Sequence, residues 1–349
     1  MVRAAQGTGL NQIRIVVWLW GQGIDDFVAI AQRSLVQPGN VPWLVANGYD
    51  VAVAFYSLQR DSERVQTVLK EFHRLVRERS PEGSLTLSLT LTSGVHPDSG
   101  RDETVLEIKS HFFEHTVKTA VATQGCVIFA LADFFFGDGT LRNMVVYANK
   151  PRVSVSAMYL RVKRGAFMQL LGEHAAATGG APVSNARAVD MSLATLIDSF
   201  AASLTDVDAN ASYRTSLSLR KISDDLYAAT THVPTPILCR FEPGDETYFS
   251  MFGWNFHFID HMWPAMLIAQ NRWRLMASSD LAFFAELNPA DVESAHTYPV
   301  DPGMQYNDEF FRDNLHGRLH QSVLTTLRRE RLSRAGERFP LARPGESLR

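Results

Sequence analysis

Cysteine is scarce in this chain: two residues in 349, Cys126 and Cys239, each inside an apolar strand-like run. That rules out a disulfide framework and reads as two buried free thiols of a protein kept in a reducing compartment. Long apolar runs are also missing. No stretch reaches the roughly 20 residues of a membrane-spanning helix, and the opening MVRAAQGTGLNQ lacks the apolar core of a secretion signal. A soluble, cytoplasmic protein is the expectation. Charge of one sign is not in excess, with 34 Lys and Arg against 37 Asp and Glu and a net charge of −3. Composition therefore gives no argument for nucleic acid as a partner.

Several motifs are absent as well. There is no G-x-x-x-x-G-K-[ST] loop and no G-x-S-x-G elbow. His257 and His261 have the spacing of a zinc-hydrolase helix, but Phe258 stands where that chemistry needs glutamate. Gly21-Gln22-Gly23 follows the first strand, yet position 26 is Asp where a dinucleotide fingerprint needs its third glycine. Asp206-x-Asp208-x-Asn210 begins like a calcium loop but lacks the turning glycine and the closing glutamate. Internal repeats and low-complexity segments are lacking too.

What is present is ordinary globular material, 46% hydrophobic and 20% charged, enough for a large core. IRIVVWLW (13–20), VAVAFYS (51–57), SLTLSLTLT (84–92), CVIFALA (126–132) and RVSVSAMYL (152–160) read as strands. Between them, residues 25–36, 60–80, 102–123 and 140–147 carry helical spacing. Such alternation predicts an α/β fold with a mostly parallel sheet flanked by helices. GEHAAATGGAPVS (172–184) is a small-residue boundary, 185–204 reads as a helix, and 212–262 mixes strand and loop signals. A final helix is expected from about Asp308 to Arg334. Residues 328–349 hold seven Arg and three Glu, a basic tail expected to be disordered. Such a tail is usually solvated, and it can also meet phosphates or anionic lipid heads.

In ADFFFGDGTL (132–141), Asp133 ends a buried strand and Asp138 follows three phenylalanines. Ligands of open α/β sheets gather at the carboxyl ends of the strands. Two carboxylates there can hold Mg²⁺ or Mn²⁺ and neutralise a diphosphate leaving group. Gly137 and Gly139 give close access to the backbone, Thr140 is a helix-cap candidate, and Arg142 in the first turn can meet an anion. The plain alternative is a turn in which the aspartates cap backbone amides. His111 and His115, four apart on a long helix, read as half-exposed packing residues.

WNFHFIDHMWPAM (254–266) is the second unusual stretch. On a helix, His257, Asp260 and His261 share one side and form a candidate metal or acid–base site. Trp254, Phe256, Phe258 and Trp263 can wall a sugar or base pocket. On a strand, His257 faces away from Phe256 and Phe258, and the histidines are then core or surface residues.

Two of these blocks together resemble a group of bacterial GT-A-like glycosyltransferases. Residues 17–44 are similar in their Trp20-Gly21 strand end and in Ser34-Leu35-Val36-Gln37-Pro38-Gly39-Asn40-Val41-Pro42. Asp138-Gly139-Thr140-Leu141 resembles that group's acidic turn, and the FHFIDHMWPAM segment resembles its later histidine block, so the likeness spans about 17–270. The resemblance implies a GT-A-like, Rossmann-like sheet with a C-terminal helical extension. It divides the chain into a nucleotide-sugar-binding half (1–171), an acceptor-side half of the same domain (185–305) and a C-terminal helix with a basic tail (306–349). It implies a nucleotide-sugar donor bound by Trp20, Gly21, Asp133, Asp138, Gly139 and Arg142, and Mn²⁺ or Mg²⁺ held by Asp133, Asp138, His257 and His261. The family's metal signature is D-x-D and this chain has D-x4-D, so an ion-independent variant would place Arg142 or other cations on the phosphates.

The function expected is transfer of a sugar from a nucleoside-diphosphate donor to a glycan or lipid-linked acceptor, with Asp260 the candidate base of an inverting reaction. A metal-dependent hydrolase using the carboxylate–histidine set and a non-catalytic sugar-binding protein are the competing readings. The Arg-rich tail is the candidate for peripheral contact with the inner membrane.

Overall fold

Strand β1 (Gln12–Trp18) shows why the fold is α/β. Its odd residues Ile13, Ile15 and Val17 pack into one hydrophobic cluster, while Val16 and Trp18 pack into another. Successive side chains of a strand point to opposite faces, so a strand apolar at every second-half position must be covered on both. The computed structural model describes residues 12–96, 99–148, 152–197, 204–205, 217–231, 236–254, 262–288 and 323–329.

From the loop after β1, helix α1 (Gln22–Asp26) passes through a π-helical turn (Phe27–Ala31) into α2 (Gln32–Leu35), and α3 (Val41–Ala46) follows. Then come β2 (Asp50–Leu58), α4 (Ser62–Arg79), β3 (Leu85–Thr92), α5 (Val105–Thr123) and β4 (Cys126–Phe129). Next are β5 (Phe134–Phe136), α6 (Thr140–Tyr147), β6 (Ser154–Lys163), α7 (Arg164–Thr178) and α8 (Asn185–Ala194). Strands β7 (Leu204–Thr205), β8 (Leu217–Ser223), β9 (Leu226–Thr231) and β10 (Leu238–Cys239) lead to α9 (Pro243–Met251) and α10 (Met262–Ala269). Finally, β11 (Trp273–Met276), β12 (Phe283–Asn288) and β13 (Val323–Arg328) complete the described chain.

The main sheet runs β3-β2-β1-β4-β10-β6-β12-β5, with β11 also paired to β6. Strands β1 to β4 are mutually parallel, β10 lies antiparallel between β4 and β6, and β5 lies antiparallel to β12. This is the expected architecture: α/β, Rossmann-like, a mostly parallel mixed sheet flanked by helices. Strands from the second half of the sequence join the sheet begun by the first. Helices α1 to α4 and α6 cover one face, and α5, α9 and α10 the other. A smaller sheet, β13-β9-β8-β7, packs with α7 and α8 on a third cluster.

Three local expectations are corrected. The central run 126–132 stops being a strand at Phe129, because the chain turns there, with the Phe134 amide donating to the Leu131 carbonyl. The three phenylalanines form β5 instead, with Phe134 and Phe136 on one face and Phe135 on the other. The C-terminal helical extension is contradicted at residues 323–328, where Val-Leu-Thr-Thr-Leu-Arg pairs antiparallel with β9 as β13. β-Branched Val323, Thr325 and Thr326 and an available partner outweigh helical spacing there. The rest of that expected helix and the basic tail lie outside the described residues. Both cysteines are buried free thiols, as expected.

One buried ion pair ties the second half to the sheet. Arg272, 5% exposed, grips both carboxylate oxygens of Asp245, 1% exposed, at 2.9 and 2.6 Å, and also donates to the Arg240 carbonyl. Removing one partner leaves a buried charge uncompensated. Asp245→Ala is therefore expected to cost about 3–5 kcal/mol in urea denaturation. The volume-matched pair Asp245→Leu with Arg272→Met should cost clearly less. Equal losses would show that the pair is not the determining contact.

Candidate functional site

The parallel pairing of β1 to β4 puts all four of their carboxyl ends on one edge. From β1 the chain moves outward to β2 and β3, then returns to β4 on the other side of β1. The segments bordering that point diverge: α1 lies over one face of the sheet and α5, leading into β4, over the other. A crevice at such a switch point is where open α/β sheets bind ligands.

The β1–α1 loop stands at this edge. Gly21 has φ +52° and ψ −127°, a backbone state natural to glycine, and its amide donates to Asp61 Oδ2 at 3.1 Å. Trp20 packs on Phe112 of α5, ring centroids 5.9 Å apart. A Cβ built on Gly23 would stand 3.9 Å from the Ala132 methyl, so this loop lies against the turn after β4. Asp133 lies in that turn, its carbonyl accepting from the Leu287 amide at 2.9 Å.

Burial pushes the Asp133 carboxyl up to about 6, helped by the negative charges of Glu286 and Asp26 and opposed by its own backbone amide and by Lys109. The neighbouring acids are themselves balanced. Asp26 pairs with Arg164 at 2.6 Å, and Glu286 with Arg161 at 3.1 Å. Three carboxylates and three cations thus surround one end of the sheet. A carboxyl titrating near 6 can give or take a proton, and an anionic ligand would share Arg161 and Arg164 with the carboxylates that hold them.

Asp138 is elsewhere. β5 runs antiparallel to β12, from the carboxyl edge inward, and Asp133 and Asp138 flank its two ends. Five residues of extended chain separate them by roughly 15 Å. The Asp138 carboxylate accepts from the Gly39 amide at 2.7 Å, and its own amide donates to the Val183 carbonyl at 2.7 Å. Around it, Asn40 donates to the Ser34 and Gly137 carbonyls and accepts from the Leu141 amide, while Gln37 donates to the Phe136 carbonyl and accepts from the Val183 amide. A Cβ on Gly39 would fall 2.6 Å from the Gly139 nitrogen, so only glycine lets the two loops touch. Thr140 does not cap α6. Gly139 holds the cap position, and the Thr140 hydroxyl is buried against Asn185 and the Phe283 carbonyl. Arg142 bonds its neighbour Asn143 and folds back over Gly139.

The expected residues therefore divide. Trp20, Gly21 and Asp133 meet at the carboxyl edge. Asp138, Gly139 and Arg142 belong to a tie between loops, and the joint Asp133–Asp138 carboxylate site does not form. His257, Asp260 and His261 lie outside the described residues. His115 accepts or donates toward the Tyr56 hydroxyl at 3.0 Å, and His111, 53% exposed, stands 3.5 Å from Glu103, packing roles as expected. Among the described residues, no group of three His, Cys, Asp or Glu is placed to hold a metal ion. Asp26, Lys109, Arg161, Arg164 and Glu286 are the residues sequence reasoning missed. Lys163-Arg164-Gly165 closing a long strand and Glu286 within FFAELN were the signals.

A hollow of about 480 Å³ opens at the opposite, amino edge, lined by Arg152, Glu242, Asp245, Gln270 and Arg272 among others. Its charges are spent on one another, since Arg152 grips Glu242 and Arg272 grips Asp245. No described helix is long and apolar enough to cross a membrane.

No protein-family model matches the chain, and a search of curated proteins finds none that matches. Among solved structures, a UDP-glucose pyrophosphorylase complexed with UDP-glucose aligns over 79% of this chain and 90% of its own, at 9% identity and a TM-score of 0.27. A likeness that distant carries no argument about what this chain binds.

Two expectations follow from the site. The folded-state pKa of Asp133 is raised above its unfolded value, so folding takes up a proton between pH 4 and 6 and stability falls as pH rises through that window. Asp133→Asn should therefore gain stability over the parent above pH 6, by on the order of 2 kcal/mol, and lose that advantage near pH 4. Denaturant titrations at pH 4 and 7.5 read this difference, and a pH-independent difference would contradict it. Asp138→Ala strands the Gly39 amide and should cost about 1–3 kcal/mol at either pH.

Proposed function

We propose that the chain is a glycosyltransferase that binds a nucleoside-diphosphate sugar at the carboxyl edge of the sheet, over the β1–α1 loop and the turn after β4. The observation that carries this reading is Asp133, a carboxyl titrating near 6 at the topological switch point, beside the Trp20–Gly23 loop, with Lys109 acting on it and its acidic neighbours Glu286 and Asp26 paired to Arg161 and Arg164. Gly21 is exposed, with open space where a Cβ would stand, and admits a phosphate or sugar closely, and Trp20 offers an aromatic face.

The expected Mn²⁺ or Mg²⁺ site does not fit the described residues, because its two aspartates stand at opposite ends of β5. The reaction is therefore written through this chain's own groups. Lys109, Arg161 and Arg164 supply the positive field for the diphosphate, in place of the expected metal ion and Arg142. The acceptor hydroxyl attacks the anomeric carbon, the bond from that carbon to the diphosphate oxygen breaks, and the hydroxyl proton passes to Asp133. A base titrating near 6 is ionised at pH 7 yet basic enough for that transfer. Donor base, sugar and acceptor, glycan or lipid-linked, are chosen by residues beyond this cluster.

Thermal unfolding with UDP, GDP and their sugar conjugates, each with and without Mn²⁺, tests the reading. A bound nucleotide at a hundred times its Kd stabilises by about 2.7 kcal/mol, a shift of a few degrees for a chain this size. Arg164→Ala should abolish that shift. Asp133→Asn should keep it while lowering sugar transfer by about 10²-fold or more. Absence of a shift with every nucleotide sugar would remove the proposal.

A further inference from the structure

Strand β3 ends the main sheet, and its outer side has no partner among the described residues. Edge strands in soluble proteins are usually blunted by lysine, proline, a bulge or shortness. β3 has none of these: Leu85-Thr86-Leu87-Ser88-Leu89-Thr90-Leu91-Thr92 is eight residues long, uncharged, proline-free and in unbroken register with β2. None of its residues is buried, and Leu85, Leu87 and Leu89 sit half-covered against the core.

The sequence of this edge is a palindrome. Residues 85–91, LTLSLTL, read the same in both directions about Ser88. The backbone phase agrees with it. The Ser84 carbonyl accepts from Val51 of β2, so carbonyls and amides of the even-numbered residues point inward and those of the leucines point outward. Two such edges placed antiparallel about Ser88 would set Leu87 opposite Leu89 and Leu85 opposite Leu91 as hydrogen-bonded pairs, on the order of eight inter-chain bonds. Ser88 would meet its own copy, and Thr86 would meet Thr90, in the close non-hydrogen-bonded pairs where hydroxyls bond across strands. Leucine would lie along leucine on one face. With no charge in the strand, no like charge would be brought opposite itself.

We propose that β3 is the interface of a two-fold symmetric dimer, in which a second copy of this chain continues the main sheet through antiparallel β3–β3 pairing centred on Ser88. The pairing is isologous and closed, so it yields dimers and not filaments.

Sedimentation equilibrium of the full chain should give twice the chain mass at micromolar concentration. Ser88→Lys sets two ammonium groups face to face and should weaken association at least 100-fold, with the melting temperature of the monomer otherwise kept. Ser88→Glu should do the same alone, and mixing the Lys and Glu variants should restore a heterodimer. Hydrogen exchange should show the Leu85, Leu87, Leu89 and Leu91 amides protected in the dimer and open in the Ser88→Lys monomer. A monomeric parent, a dimer indifferent to both substitutions, mass that climbs without a plateau, or protection that persists in the monomer because another segment of the same chain covers the edge, would each overturn the proposal.

Discussion

Strand β1 must be hydrogen-bonded in parallel on both sides, to β2 and to β4, and the rest of the molecule follows from that constraint. Parallel neighbours need crossovers, and crossovers place helices on the faces. Because β2 and β3 occupy one side, the chain must come back over β1 to form β4. The return brings the β1–α1 loop against the turn after β4 at the carboxyl edge of the sheet. Their meeting is thus a consequence of strand order, and the side chains presented there are those that terminate β1, β4 and β6.

A second constraint keeps that lining in place. β5 is only three residues long, too short to hold itself, yet it carries Asp133 at one end. Its other end is fastened by side chains of the Gln37–Asn40 loop, which bond the backbone of Phe136, Gly137 and Leu141, and by the Asp138 carboxylate on Gly39. Gln37 and Asn40 are buried, and their amide groups supply both donors and acceptors to backbone that would otherwise be unpaired. The two sequence blocks that share a resemblance therefore meet in space, but as a brace. Asp138 belongs to the support of β5, and Asp133 to the surface it presents.

The sequence discloses local periodicity and little of what depends on distant partners. β1, β2, β3 and α5 were legible because alternation and helical spacing are written in contiguous residues. β5 was not, since Phe134–Phe136 become a strand only by pairing with Phe284–Glu286, about 150 residues on. β13 was misjudged for the same reason, its partner β9 lying far upstream. At the site, a carboxylate closing an apolar run pointed to Asp133. The basic end of β6 and the glutamate of FFAELN were visible in the sequence, but nothing contiguous placed Asp26, from α1, Glu286, from β12, or Arg164, which begins α7, beside Asp133. Two acids five residues apart look like a pair until the strand between them is recognised.

The charges around Asp133 make sense as a compromise between stability and use. Gathering three carboxylates at one partly buried place is unfavourable, and the fold offsets it by giving Asp26 and Glu286 their own guanidinium partners. Asp133 is left with burial and residual negative charge, which hold its proton to about pH 6. A purely structural solution would place a neutral amide there and gain stability at neutral pH. Retaining the acid at the carboxyl edge therefore costs stability at neutral pH, and that cost is the physical ground on which a proton-transfer role for Asp133 is proposed.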